Sequence, residues 1–299
     1  MKRIVILFII IVMSICAFAD DVYKPYILGA KSSLPMIEVI ENLKINLQRN
    51  GLEIVGEYTP ANDENRFVVV ISSEELKSIV NDLEGLSGFL AALRIGITAK
   101  DGSYEISYVN LTYIAMAYLQ NDYDQWKAQI NTLEQKLKNS MQGFEAVEMQ
   151  PFGSKKGLTE KKLKKYKYMI AMPKFADIVE LAEFESYEIA LKTIQTNLTA
   201  SQTSSKVYQI DFPEQKLTLF GISLSGEKGE ENFLPIIDIS EPQHTAFLPY
   251  EMLVLDNKAI MLHGRYRIAI SFPDLTMGNF MKIMSTPGEI EDAMKALTK

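Results

Sequence analysis

The two halves of this sequence repeat one order of predicted elements, and that order limits the possible folds more than any single motif does. Between residues 23 and 141, and again between residues 166 and 299, patterns typical of a strand, a helix, strands, an intervening segment, a hairpin and a closing helix follow one another. The pair Phe89-Leu90 precedes the first hairpin, as Phe247-Leu248 precedes the second. We therefore expect an α+β fold of two tandem, internally duplicated repeats, each an antiparallel sheet with helices packed on one face.

In the first half, apolar spacing predicts the helices and alternation predicts the strands. Ile37, Ile40, Leu43 and Leu47 recur at helical spacing before Asn50-Gly51. The segments LEIVGEY and RFVVVIS read as strands, and RIGITAKDGSYEISY reads as a hairpin that turns at Asp101-Gly102. One long helix from about residue 111 to 141 is expected, and its apolar stripe comprises Trp126, Ile130, Leu133, Leu137 and Met141.

In the second half, YKYMIAM at residues 166–172 is expected to open the unit as a strand. The segment FLPIIDIS at residues 233–240 stands where the first half has its middle helix, so we expect the second half to depart from the first there. Residues 249–275 predict two strands joined by a turn at residues 256–258, the second strand running through Ile270. A closing helix is expected from about Pro287.

The N-terminus predicts export. Lys2 and Arg3 precede an apolar run, and Ala17-Phe18-Ala19 gives the small-x-small pattern that signal peptidase accepts. We expect residues 1–19 to be a cleaved signal peptide and the mature protein to be soluble and periplasmic or extracellular. A retained membrane anchor and lipidation at Cys16 are the alternatives.

Composition narrows the classes of function. Cys16 is the only cysteine, so a chain cleaved after residue 19 has neither disulfides nor a cysteine-based metal or catalytic site. Loss of Lys2 and Arg3 changes the formal net charge from −7 to −9, which disfavours nucleic-acid binding. The chain is 47% hydrophobic, and so it has enough apolar surface for a core without disulfides.

A change in composition suggests the domain boundaries. Residues 143–165 have no strong apolar period and contain the cluster KKGLTEKKLKK, which is typical of a charged linker between residues 20–142 and residues 166–299. Its lysines either attract an anionic surface or are simply solvated.

The sequence FLPYEMLVLDNKAIMLHGRYRIAISFP, with LFGISL upstream, resembles the domain-of-unknown-function 302 (DUF302) family. The segments YKYMIAMPKF and GITAKDGSYEISYVN are similar to the same domain. The resemblance implies a TATA-binding-protein-like β-α-β4-α fold in each half. Since the family has no settled biochemical activity, it implies no catalytic residue.

The candidate ligand site lies on the predicted second strand of the 249–275 hairpin. There His263, Arg265 and Arg267 alternate with apolar residues and would project about 7 Å apart from one face, a spacing suited to a carboxylate or phosphate. A two-residue loop at Asn257-Lys258 would place Met252 opposite His263, whereas a three-residue loop centred on Asn257 would place Glu251 there. Alternatively, these side chains pair with Glu251, Asp211 or Asp238, or are solvated.

Two weaker metal sites follow from residue type alone. His244, His263, Asp238 and Glu251 offer a mixed nitrogen and oxygen ligand set, although no histidine motif supports it. Met277, Met281 and Met284 recur at helical spacing, which favours core packing over Cu(I) capture.

No sequence motif predicts standard catalysis, and no cofactor or catalytic residue is expected. We expect non-catalytic binding of a small anionic ligand or an envelope protein, with membrane contact only through residues 1–19 if they are retained. A homodimer is a further expectation. The alternatives are a metal-dependent hydrolase or metal carrier that uses His244 and His263, and a structural component of an envelope complex.

Overall fold

The computed structural model describes residues 21–299, so the expected signal peptide lies outside the described residues. Residues 21–165 form one antiparallel sheet, a short two-stranded ribbon and five helices. In chain order these elements are β1 (Val22–Tyr23), β2 (Tyr26–Ser32), α1 (Met36–Arg49), β3 (Glu53–Tyr58), β4 (Arg66–Ser72), α2 (Glu74–Leu83), β5 (Leu93–Lys100), β6 (Ser103–Val109), α3 (Leu111–Leu119), α4 (Tyr123–Met141), β7 (Ala146–Phe152), β8 (Leu158–Thr159) and α5 (Glu160–Leu163).

The rest of the chain forms a second antiparallel sheet and five further helices. Its elements are β9 (Val179–Glu183), α6 (Tyr187–Ala200), β10 (Ser204–Phe212), β11 (Leu217–Leu224), α7 (Glu230–Ile237), β12 (Tyr250–Leu255), β13 (Lys258–Met261), α8 (Gly264–Ser271), α9 (Met277–Lys282) and α10 (Thr286–Ala296). The α+β class with antiparallel sheets is thereby confirmed. None of the helices among residues 21–299 combines the length and the hydropathy that a membrane crossing requires.

The two sheets share one strand order. The first sheet is ordered β3-β4-β5-β6-β2-β7 and the second β10-β11-β12-β13-β9. If β2 to β6 of the first half are matched in chain order with β9 to β13 of the second, the two orders are the same. The first sheet then has β7 as an additional edge strand. The segment FLPIIDIS supplies most of α7, which follows β11 as α2 follows β4. The expectation that the second half lacks its middle helix is therefore wrong. Duplication itself stays a prediction.

Two other sequence-based expectations need correction. The long helix breaks at Gln120, whose φ is +51°, because α3 is buried on all sides whereas α4 is amphipathic. Residues 166–172 form no strand, and the second unit opens with β9 instead. Within the expected charged linker 143–165, β7 pairs with β2 from Tyr26↔Phe152 to Lys31↔Ala146. The proposed division into domains stays a prediction.

Alternate residues of the central strands face different layers. In β12, Met252 and Val254 pack in the core beneath the second half's own helices, whereas Leu253 belongs to the core shared with the first half. In β5, Arg94, Gly96 and Thr98 contact the second half. Since successive side chains point to opposite faces, both faces of these strands are covered, by helices on one side and by the other half on the other.

Each half also sends a one-turn segment onto the other half's sheet. Gly85–Leu90 lies on β11 and β12, where an added Cβ at Gly88 would lie 2.7 Å from Leu253 Cδ1. Thr245–Phe247 lies on β4, β5 and β6, where an added Cβ at Gly96 would lie 2.8 Å from the Ala246 nitrogen. These crossing segments join the two halves, and Thr245–Phe247 follows directly on His244.

Candidate functional site

The hairpin at β12 and β13 turns through residues 256 and 257, one residue earlier than the expected two-residue loop and with one residue fewer than the expected three-residue loop. Leu255 pairs with Lys258 and Leu253 with Ile260, and Asp256 adopts the left-handed φ of +51° that such a tight turn requires. Both expected registers, which placed Met252 or Glu251 opposite His263, are therefore wrong.

The second strand ends at Met261, and the residues after it form α8 rather than a strand. His263 caps this helix, because its Nδ1 accepts the Arg265 backbone N–H at 3.2 Å. Gly264 begins α8 directly against Pro287, to which an added Cβ would lie at 3.1 Å. The predicted cationic strand face is thus wrong. Arg265 is exposed, Arg267 is buried, and burial together with the charge of Arg265 lowers the pKa of His263.

Arg267 and Glu251 meet inside the protein rather than on its surface. The Arg267 Nη1 lies 2.6 Å from Glu251 Oε2, and Arg94 Nη1 from the first half lies 2.5 Å from Glu251 Oε1. The Tyr208 hydroxyl donates to the same Oε1 at 2.7 Å, and burial together with the Glu251 charge keeps its pKa well above the usual value. Arg267 also donates to the carbonyl of Phe247.

This cluster of Arg94, Tyr208, Glu251 and Arg267 is structural. Every charged member is at most 7% exposed and is bonded to the others or to backbone carbonyls. The pairing of Arg267 with Glu251, one of the alternatives to ligand binding, is what the structure contains. Removing one partner of such a buried pair costs about 3–5 kcal/mol. The cluster therefore stabilises the contact between the two halves, including that of the crossing segment 245–247.

A second polar chain ends at a surface cleft. Asp238, just after α7, accepts a hydrogen bond at 2.9 Å from the imidazole Nδ1 of His244 through its Oδ1. Its Oδ2 lies 2.5 Å from the Nη1 of Arg66, at the start of β4. Burial raises the pKa of Asp238, but the hydrogen bonds and charges of His244 and Arg66 outweigh it and hold that pKa below its ordinary value. The ionised carboxylate fixes the imidazole with Nδ1–H as donor, which leaves Nε2 for another partner.

His244 lines a cleft of about 520 Å³, the size of a small-molecule site. The side chain is only 3% exposed, and its Nε2 has no hydrogen-bond partner among the described residues. The ring centroids of Tyr26, Phe152 and Phe272 lie 4.8, 5.7 and 4.6 Å from that of the imidazole. The cleft therefore has an aromatic inner wall that includes the His244 ring, and the Nε2 of that ring is itself buried.

The first half supplies the backbone that covers the imidazole. Gly153, at a φ of +89°, passes directly over the imidazole, since an added Cβ would lie 2.8 Å from His244 Nε2. A glycine is required here because of both the φ and the close approach. The next loop residues are held by Asp274 of the second half, whose Oδ2 accepts the Lys155 backbone N–H at 2.5 Å. Both halves thus build the cleft.

The carboxylates of the cleft have partners, whereas its lysines form no salt bridge with any described residue. Of its two carboxylates, Glu241 pairs with Lys100 at 2.9 Å and Asp274 accepts hydrogen bonds from the 154–155 loop. The ammonium groups of Lys24 and Lys155 also line the cleft, and neither forms a salt bridge within residues 21–299. The unpaired charges at the cleft are therefore positive.

The metal site predicted from His244, His263 and Asp238 is not assembled. Asp238 and His244 are adjacent, but each Asp238 oxygen is already bonded, one of them to the cation of Arg66. His263 lies at the start of α8, near Arg265 and Glu291, and is not part of the cleft. Across residues 21–299 no group of three His, Cys, Asp or Glu residues is placed to hold a metal.

A hydrolase of the nucleophile–base–carboxylate type needs three groups, and two of them, the base and the carboxylate, are present. Asp238 orients His244 as in nucleophile–base–carboxylate arrangements. However, within the described residues no hydroxyl is hydrogen-bonded to His244 Nε2. The nearby Ser154 Oγ accepts a hydrogen bond from the Gly157 backbone N–H at 3.0 Å. The base and its carboxylate are therefore present, whereas within the described residues no hydroxyl is placed as their nucleophile.

The predicted methionine packing is wrong. Met277, Met281 and Met284 are all about half exposed, so they do not fill the core. Met277 lines a shallow apolar groove together with Met169 and Met172.

The residues that position the site were not predicted as functional from the sequence. Arg66 and Arg94 stand within or beside apolar strand patterns, and a charge in such a pattern is a signal for a buried partner. Phe152-Gly153-Ser154 lay in the expected linker, where a glycine next to an aromatic residue gave no distinct signal.

Comparison with known proteins gives one similar structure. No protein-family model matches the chain, and no curated protein matches it. The crystal structure of an uncharacterized conserved protein, DUF302, from Bacillus stearothermophilus is similar over 37% of this chain and 91% of its own, with 18% identity and a TM-score of 0.32. The chain therefore has a structural neighbour described as DUF302, while two tandem copies of that domain and its TATA-binding-protein-like fold stay predictions.

Proposed function

We propose that this protein is an exported, non-catalytic binding protein whose cleft at His244 receives a small ligand with an apolar body and an anionic group. The observation that carries the proposal is the buried Nε2 of His244, a residue that lines a cleft of about 520 Å³; this atom has no hydrogen-bond partner among the described residues. A buried polar atom without a partner costs free energy, so a hydrogen bond from a ligand there is favourable.

The lining supports this class of ligand. Phe152, Phe272 and Ile237 offer an apolar wall, and the unpaired Lys24 and Lys155 offer positive charge. The anionic group would pair with these lysines, while Nε2, with Nδ1–H held by Asp238, would accept a hydrogen bond from a ligand hydroxyl or a bound water. This site takes the place of the one predicted at His263, Arg265 and Arg267.

The proposal predicts selective binding of anionic amphiphiles. Native mass spectrometry of the purified protein should show one bound decanoate and no bound decyltrimethylammonium, a cation with the same apolar chain. Ser240→Trp, an exposed cleft residue, should obstruct the site and weaken decanoate binding at least about tenfold, which corresponds to about 1.4 kcal/mol. Gln202→Trp, on an exposed turn that does not line the cleft, is the matched control and should bind as the wild type does.

Equal retention of the cation and the anion would contradict the proposed ligand chemistry. Decanoate binding that survives Ser240→Trp unchanged would contradict the proposed location.

A further inference from the structure

A second surface of the molecule is apolar, exposed and held firmly in place. Residues 167–174 run between two buried aromatic residues. The Tyr166 hydroxyl donates to the Ala269 carbonyl at 2.7 Å, and the Phe175 ring stacks on Tyr118 with centroids 4.7 Å apart. Between these anchors Ile170 is 94% exposed, and Tyr168 and Met169 are also exposed. The chain is thus fixed at both ends and presents its apolar side chains to solvent.

Helix α9 extends this surface. The Tyr168 hydroxyl donates to the Leu275 carbonyl at 3.4 Å, and Tyr168, Met169 and Met277 line one shallow groove. Met281 lies one helical turn beyond Met277 and is 57% exposed. We call Tyr168, Met169, Ile170, Met277 and Met281 the apolar patch. Exposed contiguous apolar side chains of this kind mark interaction surfaces.

The chain around the patch is strongly basic, although the protein is acidic. Residues 155–174 contain eight lysines and one glutamate, a formal charge of +7, whereas the whole sequence carries −7. All of these lysines except Lys164 are exposed and form no salt bridge with any carboxylate of residues 21–299: Lys155, Lys156, Lys161, Lys162, Lys165, Lys167 and Lys174. Positive charge is therefore concentrated beside the exposed apolar side chains.

We propose that the apolar patch and its lysines form a binding surface for an anionic membrane. Aliphatic and thioether side chains bury in the boundary between headgroups and acyl chains, while lysines beside them interact with lipid phosphates. A second copy of the chain fits less well, because a twofold contact would oppose two surfaces of the same strong positive charge. Nucleic acid would use the lysines but would leave Ile170 in water. This surface lies outside residues 1–19, the only segment that the sequence predicts to contact a membrane. None of the five residues of the apolar patch lines the cleft at His244.

Vesicle sedimentation tests the proposal. The wild-type protein should bind vesicles of phosphatidylcholine with added phosphatidylglycerol more tightly than vesicles of phosphatidylcholine alone. Ile170→Ser should weaken binding at least about tenfold, because burial of a large aliphatic side chain is lost. Lys165→Gln/Lys167→Gln should weaken binding to the anionic vesicles about twentyfold, at about fivefold per lysine.

Matched controls separate this surface from general effects. Ile37→Ser removes an equally hydrophobic exposed residue from α1, and Lys192→Gln/Lys206→Gln makes the same charge change elsewhere. Since all variants share one N-terminus, any contribution of residues 1–19 is common to them. Equal wild-type binding to both kinds of vesicle, or equal losses in the controls, would overturn the proposal. So would self-association in sedimentation velocity that Ile170→Ser abolishes while vesicle binding persists.

Discussion

At the scale of single residues, Glu230 is the side chain whose ionisation most clearly opposes the fold. It begins α7, is 1% exposed, and accepts hydrogen bonds from the Ala61 and Leu224 backbone N–H groups at 3.0 and 3.2 Å. The Tyr58 hydroxyl lies 3.3 Å from both of its oxygens. Burial raises the pKa of Glu230 to about 7, even though these hydrogen bonds lower it. Near neutral pH the folded protein therefore holds a partly protonated carboxyl where the unfolded chain holds a carboxylate.

This pKa predicts a loss of stability as the pH rises. Because the folded pKa lies above the unfolded value of 4.5, the folded state binds the proton more tightly, and its contribution is fully present below about pH 4.5. That contribution is lost as the pH rises through 7 and amounts to roughly 3 kcal/mol. In Glu230→Gln this pH dependence should be absent, so the free energy of unfolding of the wild type relative to the variant should fall by that amount between pH 4.5 and pH 8.

Urea denaturation across this pH range measures the difference. The absolute stability of the variant is less informative, because its amide NH₂ would face a backbone N–H. A parallel pH dependence in the wild type and Glu230→Gln would show that Glu230 ionises normally in the folded protein.

At the scale of elements, the two crossing segments depend on two glycines with different surroundings. An alanine Cβ at Gly96 would lie 2.8 Å from both the Ala246 nitrogen and Thr245 Cβ, where the backbone would have to move. At Gly88 it would meet the methyl ends of Leu253 and Leu217 at 2.7 and 3.0 Å, and these side chains can rotate away. Overpacking of this kind costs about 1–3 kcal/mol.

We therefore expect Gly96→Ala to lower the free energy of unfolding by about 1–3 kcal/mol and Gly88→Ala to lower it by less. Urea denaturation of the two variants side by side gives the comparison. A larger loss in Gly88→Ala would show that Thr245–Phe247 adapts more easily than the leucine side chains do.

The same scale shows what the sequence could and could not predict. The regular strands β4, β5 and β6 and the helix α1 follow from alternation and helical spacing. Alternation also predicted a strand through Ile270, but His263-Gly264 begins a helix because Pro287 packs against Gly264 and Arg267 turns inward to Glu251. Those contacts come from residues distant in the chain, and tertiary contacts of this kind override a local period.

At the scale of the whole molecule, the candidate site could not be found from either half alone. The cleft joins Lys24 and residues 150–155 of the first half to residues 237–244 and 272–279 of the second. His244 and Asp238 were predicted as weak metal ligands, but Arg66, which pairs with Asp238, and Gly153, which covers the imidazole, were not predicted. Residue type alone identified His244 as a candidate ligand-binding residue, whereas the cavity beside it forms only when the two halves pack together.

The shared construction also predicts how the protein unfolds. One apolar core includes residues of both halves, such as Leu93 and Leu253, and the buried cluster at Glu251 draws an arginine from each half. Trp126 in α4 is the only tryptophan of the chain, so its fluorescence reports on the first half, while far-ultraviolet circular dichroism reports on both.

We expect the fluorescence of Trp126 and the circular dichroism to give one coincident urea transition, because neither half keeps its core when the other unfolds. Ile290→Ala removes a fully buried side chain of α10 in the second half and should cost about 2–5 kcal/mol. Since the halves unfold together, it should move the midpoint seen by Trp126 as far as the midpoint seen by circular dichroism. A Trp126 transition that stays at its wild-type midpoint while the circular dichroism splits into two steps would show instead two independent domains joined near residues 143–165.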